Sequence, residues 1–123
     1  MKDDGGYYER LGPWATQRAV LDALHVSDTE LAALLARREL VAVDFSGQLL
    51  FPVIQFMDGS PVSGLGPVLT ALSAGFSTPE GQVGWLSEPA YQGDARTRWQ
   101  ALRSGDFDDV LRWATEDAAA ASR

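Results

Sequence analysis

The chain is predicted to be mainly α-helical: a helix-turn-helix pair carrying a small β-hairpin, followed by a C-terminal helical bundle. Three observations predict it. Apolar residues recur at helical spacing on both sides of a break at His25–Ser27, Val41, Val43 and Phe45 and then Leu49, Phe51 and Val53 alternate on either side of Ser46-Gly47, and capped amphipathic segments follow one another from Val68 to Ala114.

After a polar, glycine-containing lead-in (1–12), Pro13 suits the first turn of a helix running to about Leu24, with Val20, Leu21 and Leu24 on one face. Ser27 or Asp28 caps a second helix, with Asp28 and Glu30 near its positive end and Leu31, Leu34 and Leu35 at helical spacing; it ends near Arg38. The short connection is that of a helix-turn-helix. Val41, Val43 and Phe45 alternate with Ala42 and Asp44, and Leu49, Phe51 and Val53 alternate after the Ser46-Gly47 turn, which is hairpin patterning. This order is that of a winged or MerR-like helix-turn-helix. Pro52 cannot donate to a sheet ladder, so its strand lies at an edge or ends there.

Glycine and Pro61 between Met57 and Gly66 mark a connector, dividing the chain into residues 1–56, a connector at 57–67, and a helical partner-binding domain at 68–123. In the last part Val68, Leu69 and Leu72 suggest a short helix, and Thr78-Pro79-Glu80 opens another that carries Val83, Trp85 and Leu86. Asp94 suits the cap of a helix holding Ala95, Trp99 and Leu102 and ending at Gly105. Asp106 caps the last helix, whose stripe is Phe107, Val110, Leu111 and Ala114; its alanine-rich end is expected to fray.

The chain has 123 residues, enough for one domain or two half-size pieces sharing a core, and 46% hydrophobic content is ordinary for a globular protein. The absence of cysteine excludes disulfides, thiolate zinc sites and cysteine nucleophiles. His25 is the single histidine, so it has no partner for a histidine metal site or triad. The carboxylates Asp106, Asp108, Asp109, Glu116 and Asp117 read as helix-dipole partners and solvated charge rather than an acid–base pair. No catalytic residue, metal or cofactor is assigned, and the chain reads as a non-enzymatic binding protein. The N-terminal MKDDGGYYER lacks the features of a signal peptide, and no apolar run approaches the roughly 20 residues that span a bilayer, so a cytoplasmic location is expected and no membrane partner.

The order of segments resembles the Xre/MbcA/ParS-type antitoxins and related bacterial helix-turn-helix proteins over about residues 17–115. The resemblance is carried by Pro-Val-Ile-Gln-Phe-Met-Asp-Gly from Pro52 to Gly59, and by Trp85-Leu86, Pro89, Leu102, Gly105-Asp106 and Val110-Leu111 in that order. In place of the family's usual Asn-Pro pair and glycine-rich stretch, this chain has the segment from Glu88 to Thr97. The resemblance implies a homo-oligomeric antitoxin that binds and neutralises a RES-domain toxin acting on NAD, and that represses its own promoter. By position it also implies that the tail Ala121-Ser122-Arg123 reaches the toxin.

Four tryptophans are many for this length, and three of them lie in the C-terminal half. Trp85 reads as core, whereas Trp99 and Trp113, mixed with Arg96, Arg98, Arg103 and Arg112, have the aromatic and guanidinium composition of an interface. The bland reading of those arginines is helix charge paired to nearby Asp and Glu. The candidate protein-binding residues are Trp99, Leu102, Arg103, Asp106, Trp113 and Arg123. The candidate DNA contacts are Gln17, Arg18, Ser27, Thr29, Arg37 and Arg38. The net charge of −7 and the carboxylates of Asp28 and Glu30 weigh against DNA, which leaves a transcription regulator or adaptor without a toxin partner as the alternative.

Overall fold

In the computed structural model, residues 11–91 and 93–122 are described. Among them the molecule is mainly α-helical with two small antiparallel sheets. The elements in order are β1 (Trp14–Thr16), α1 (Gln17–Leu24), α2 (Asp28–Ala36), β2 (Val43–Phe45), β3 (Gln48–Pro52), a 3-10 turn (Val53–Gln55), β4 (Phe56–Met57), β5 (Ser60–Pro61), α3 (Leu65–Leu72), α4 (Pro79–Leu86), α5 (Arg98–Arg103) and α6 (Phe107–Ala121).

Pro13 does not open a helix. The helix expected from that residue begins only at Gln17, because Trp14–Thr16 is extended and pairs antiparallel with β3, Trp14 opposite Pro52 and Thr16 opposite Leu50. Sheet pairing overrides the proline signal, and Thr16 becomes the cap, its Oγ1 accepting from Ala19 N at 3.2 Å. α1 ends at His25 in the left-handed region (φ 58°). Ser27 then caps α2 with Glu30 in a reciprocal capping box.

β2 and β3 form the expected hairpin, with Ser46 (φ 55°) and Gly47 (φ 90°) supplying the two positive φ values of a tight two-residue loop. The three-stranded order is β1-β3-β2, so β3 is central and Pro52 is tolerated as its last residue. Val53 departs from the predicted alternation: it starts the 3-10 turn and is exposed.

Segment 40–43 is buried on both faces. Val41 and Val43 face one apolar cluster with the C-terminal helices, while Leu40 and Ala42 face a second with Val20, Leu31 and Phe51. Period-two alternation therefore makes this segment the shared wall of two cores. The predicted connector is structured: Phe56–Met57 pairs with Ser60–Pro61, and α3 starts at Leu65 after Gly64 (φ 89°) rather than at Val68.

α4 opens as predicted, with Thr78 Oγ1 accepting from Gly81 N at 3.1 Å and Pro79 in the first turn. α5 does not use Asp94. Thr97 and Gln100 form its capping box, and a bridge between Pro89 and Thr97 closes the preceding loop. α6 runs through the alanine-rich segment to Ala121, with Ala114 and Ala118 buried against the bundle. Gly75, after α3, permits this approach: a Cβ there would lie 2.7 Å from Ala118 Cα.

Candidate functional site

The candidate DNA contacts gather around α1 and α2. Gln17 Nε2 donates to Asp28 Oδ1 at 3.1 Å, tying the start of one helix to the start of the other. Ser27 Oγ accepts from Glu30 N at 3.1 Å and Ser27 N donates to Glu30 Oε1 at 2.8 Å, so both side chains are committed to the cap. Thr29, Ala32 and Ala36 are exposed on the outer side of α2, and Arg18 is exposed on α1. Arg37 pairs with Glu39 at 2.6 Å in the open, and Arg38 follows in the left-handed conformation (φ 58°).

Four carboxylates of this half have internal uses. Between Trp14 and Val62 stand three arginines and six carboxylates. Glu30 closes the capping box, Asp28 accepts from Gln17, Glu39 takes Arg37, and Asp44 Oδ1 accepts from Gly47 N at 2.6 Å to set the hairpin loop. The negative charge persists, but these groups answer local donors.

The candidate protein contacts are rearranged more severely. Trp99 is 1% exposed and Leu102 is 2% exposed, so burial removes both from any contact surface. The apolar face of a six-residue helix packed against α6 leaves them no outward direction. Arg103 donates to the carbonyls of Ile54 at 2.9 Å and Phe56 at 2.6 Å, fastening α5 to the 3-10 turn. Asp106 stands at the start of α6 but makes no side-chain cap bond there; its Oδ2 accepts from Arg96 at 2.9 Å. Arg123 lies outside the described residues.

The remaining arginines follow the bland reading. Arg96 bridges Asp94 and Asp106, Arg98 reaches Glu88 and Asp117, and Arg112 pairs with Asp109 one helical turn away. Arg98 also lies over the Trp85 ring, 4.2 Å from its centroid, while Trp85 Nε1 donates to Asp117 at 2.8 Å. The Arg96 backbone N–H, reinforced by its guanidinium, holds the Asp94 carboxyl below its ordinary value, against the opposing effect of burial. Asp106 and then Asp94 hold the Arg96 guanidinium above its own.

Trp113 remains half-buried, its ring edge-on to Tyr91 at 6.4 Å, and Tyr91 is 57% exposed. Tyr91 was missed in the sequence because it sits in a loop without periodicity. A second missed feature is an apolar groove of about 320 Å³ between α1 and the β4–β5 hairpin, lined by Ala19, Ala23, Leu24, Val53, Phe56 and Met57. Val53 and Met57 are each 42% exposed there. Both belong to elements too short for hydrophobic period to reveal.

The fold defined by these elements has a solved counterpart. The chain is similar to Rv2175c, a protein whose structure was determined by NMR, with a TM-score of 0.73 and 25% sequence identity over 87% of this chain and 82% of that one. No protein-family model and no curated protein matches the chain. Among the described residues, no helix is long and apolar enough to cross a membrane.

Proposed function

We propose that the protein is a DNA-associated regulator or adaptor that docks through α1, α2 and the β2–β3 hairpin as a winged helix-turn-helix. The observation that carries this reading is topological. A strand, two helices separated by His25–Ser27, and a hairpin follow one another, and the sheet closes in the order β1-β3-β2 with the outer side of α2 uncovered. Two further points support it. The carboxylates that weigh against DNA in the sequence are engaged by local donors, and in the arginine-tryptophan mixture that favours a protein interface Trp99 is buried and the arginines bond to groups of this chain.

In this reading Arg18, Arg37 and Arg38 meet phosphates, Thr29 and the small residues beyond it face the groove, and the Ser46–Gly47 loop lies along the backbone. Electrophoretic mobility shift with DNA from upstream of the protein's own coding region tests it. Arg18→Ala with Arg37→Ala is expected to weaken the shift, and undiminished binding by that variant rejects the assignment.

A second reading, an antitoxin-like protein that neutralises a RES-domain toxin acting on NAD, is favoured by one observation: the exposed Tyr91 ring beside Trp113 on α6. The contact then moves from Trp99 to this pair. Co-purification with a RES-domain partner, lost in Tyr91→Ala with Trp113→Ala while the fold persists, is the expected result; a complex unaffected by both changes rejects these anchors.

A further inference from the structure

A cleft of about 310 Å³ lies where α2, the hairpin and the bundle meet. Leu35 of α2, Leu49 of β3, Leu69 of α3 and Pro79 of α4 contribute apolar lining, while Arg38 and Gln82 are the polar residues that line it. α3 comes close at this place because Gly66 faces the backbone of the turn, where an added Cβ would stand 3.6 Å from the Arg38 carbonyl oxygen.

The two polar groups are placed differently. Gln82 is 8% exposed; its Nε2 donates to the Phe76 carbonyl at 2.8 Å, and its Oε1 accepts no hydrogen bond among the described residues. Arg38 is exposed, and its guanidinium has no ion-pair partner among the described residues, whereas Arg37 beside it is paired with Glu39. The volume is at the small end of ligand pockets, which are commonly apolar hollows between packed units with few polar groups fixing orientation.

We propose that this cleft binds a small apolar carboxylate, with the carboxyl group on the Arg38 guanidinium and the hydrocarbon body against Leu35, Leu49 and Leu69. The guanidinium fork matches a carboxylate in geometry and charge, and the apolar walls have no use for a second charge. A medium-chain alkyl acid fits the volume and has this polarity. Gln82 Oε1 adds a place for a hydroxyl on the ligand. The occupant would touch the end of α2, the hairpin root and the bundle together and would hold the guanidinium that meets a phosphate in the DNA reading, so acid and DNA compete for Arg38 and this is an effector site. The site itself does not depend on the DNA reading.

The test is titration of the full-length protein with sodium octanoate and separately with octanamide, followed by amide correlation NMR. Octanoate is expected to give saturable shifts at Leu49, Leu69 and Gln82, and octanamide to bind about tenfold more weakly, the usual effect of removing one charge-assisted contact. Arg38→Gln is expected to remove the preference for octanoate while preserving the dispersion of the folded spectrum. Absence of saturable shifts, equal affinity for acid and amide, or an unchanged preference in Arg38→Gln overturns the proposal. DNA binding followed separately on the same samples distinguishes the two ideas: octanoate binding without DNA binding rejects only the regulator reading.

Discussion

Gln55 embraces Val41 as a strand partner would: its Oε1 accepts from Val41 N at 2.9 Å, and its Nε2 donates to Val41 O at 2.8 Å. The same Nε2 reaches the Pro52 carbonyl at 3.2 Å, and the side chain is fully buried. One amide thus satisfies the backbone of the segment shared by the two apolar clusters, where no neighbouring strand is available. Replacement by leucine leaves these buried groups without partners, at about 1–3 kcal/mol for an unsatisfied group and about 3 kcal/mol in total. Gln55→Leu is expected to lower unfolding free energy by that amount in urea titration; a neutral effect contradicts the role.

Arg103 performs the corresponding task from the other side, through the Ile54 and Phe56 carbonyls. Arg103→Met retains much of the stem but loses a charged donor to two acceptors, and an expected cost of about 2 kcal/mol follows. Chemical denaturation measures it. A binding defect with unchanged stability would instead return Arg103 to a contact surface.

Trp99→Ala is expected to destabilise the fold by about 3–5 kcal/mol, the usual cost of emptying a buried tryptophan site. Trp113→Ala, at a half-buried position, is expected to cost less. Thermal unfolding of the two variants checks the order, and an equal or reversed ranking contradicts the burial seen here.

Gly75→Ala places a methyl group into the backbone of Ala118, which is not a flexible side-chain end. Overpacking of this kind costs about 1–3 kcal/mol, with α3 and α6 forced apart. A wild-type melting temperature in this variant contradicts the close approach.

The Asp94–Arg96 contact sets a pH dependence. Because the Asp94 carboxyl is held below its ordinary value, chiefly by the Arg96 backbone N–H, its contribution is complete above the ordinary carboxylate range and is lost as pH falls through its folded value. Asp94→Asn is therefore expected to flatten the acid limb of the stability–pH curve and leave its slope near neutrality unchanged. An acid limb as steep as that of the unchanged protein contradicts the assignment.

Much of this architecture was legible in local pattern. The Ser27 cap, the Ser46–Gly47 loop and the Thr78-Pro79 start are encoded within a few residues each, so spacing alone reveals them. β1 was not, because Trp14–Thr16 becomes a strand only by pairing with residues nearly forty positions later. The candidate interface was misplaced for a related reason: Trp99 and Trp113 have similar chemistry, and only packing of α5 against α6 decides that one is buried and the other meets Tyr91. Asp94 and Asp106 carry cap-forming chemistry, yet Arg96 draws both into a loop bridge.

Docking of the α1–α2 pair on DNA is read out by the salt dependence of binding. Fluorescence anisotropy with upstream DNA is expected to give a slope of log affinity against log salt of about −3 per chain, as for roughly three arginine–phosphate contacts. Loss of Arg18 and Arg37 is expected to reduce the slope toward −1. Absence of binding at low salt, or a slope unchanged by those substitutions, contradicts it.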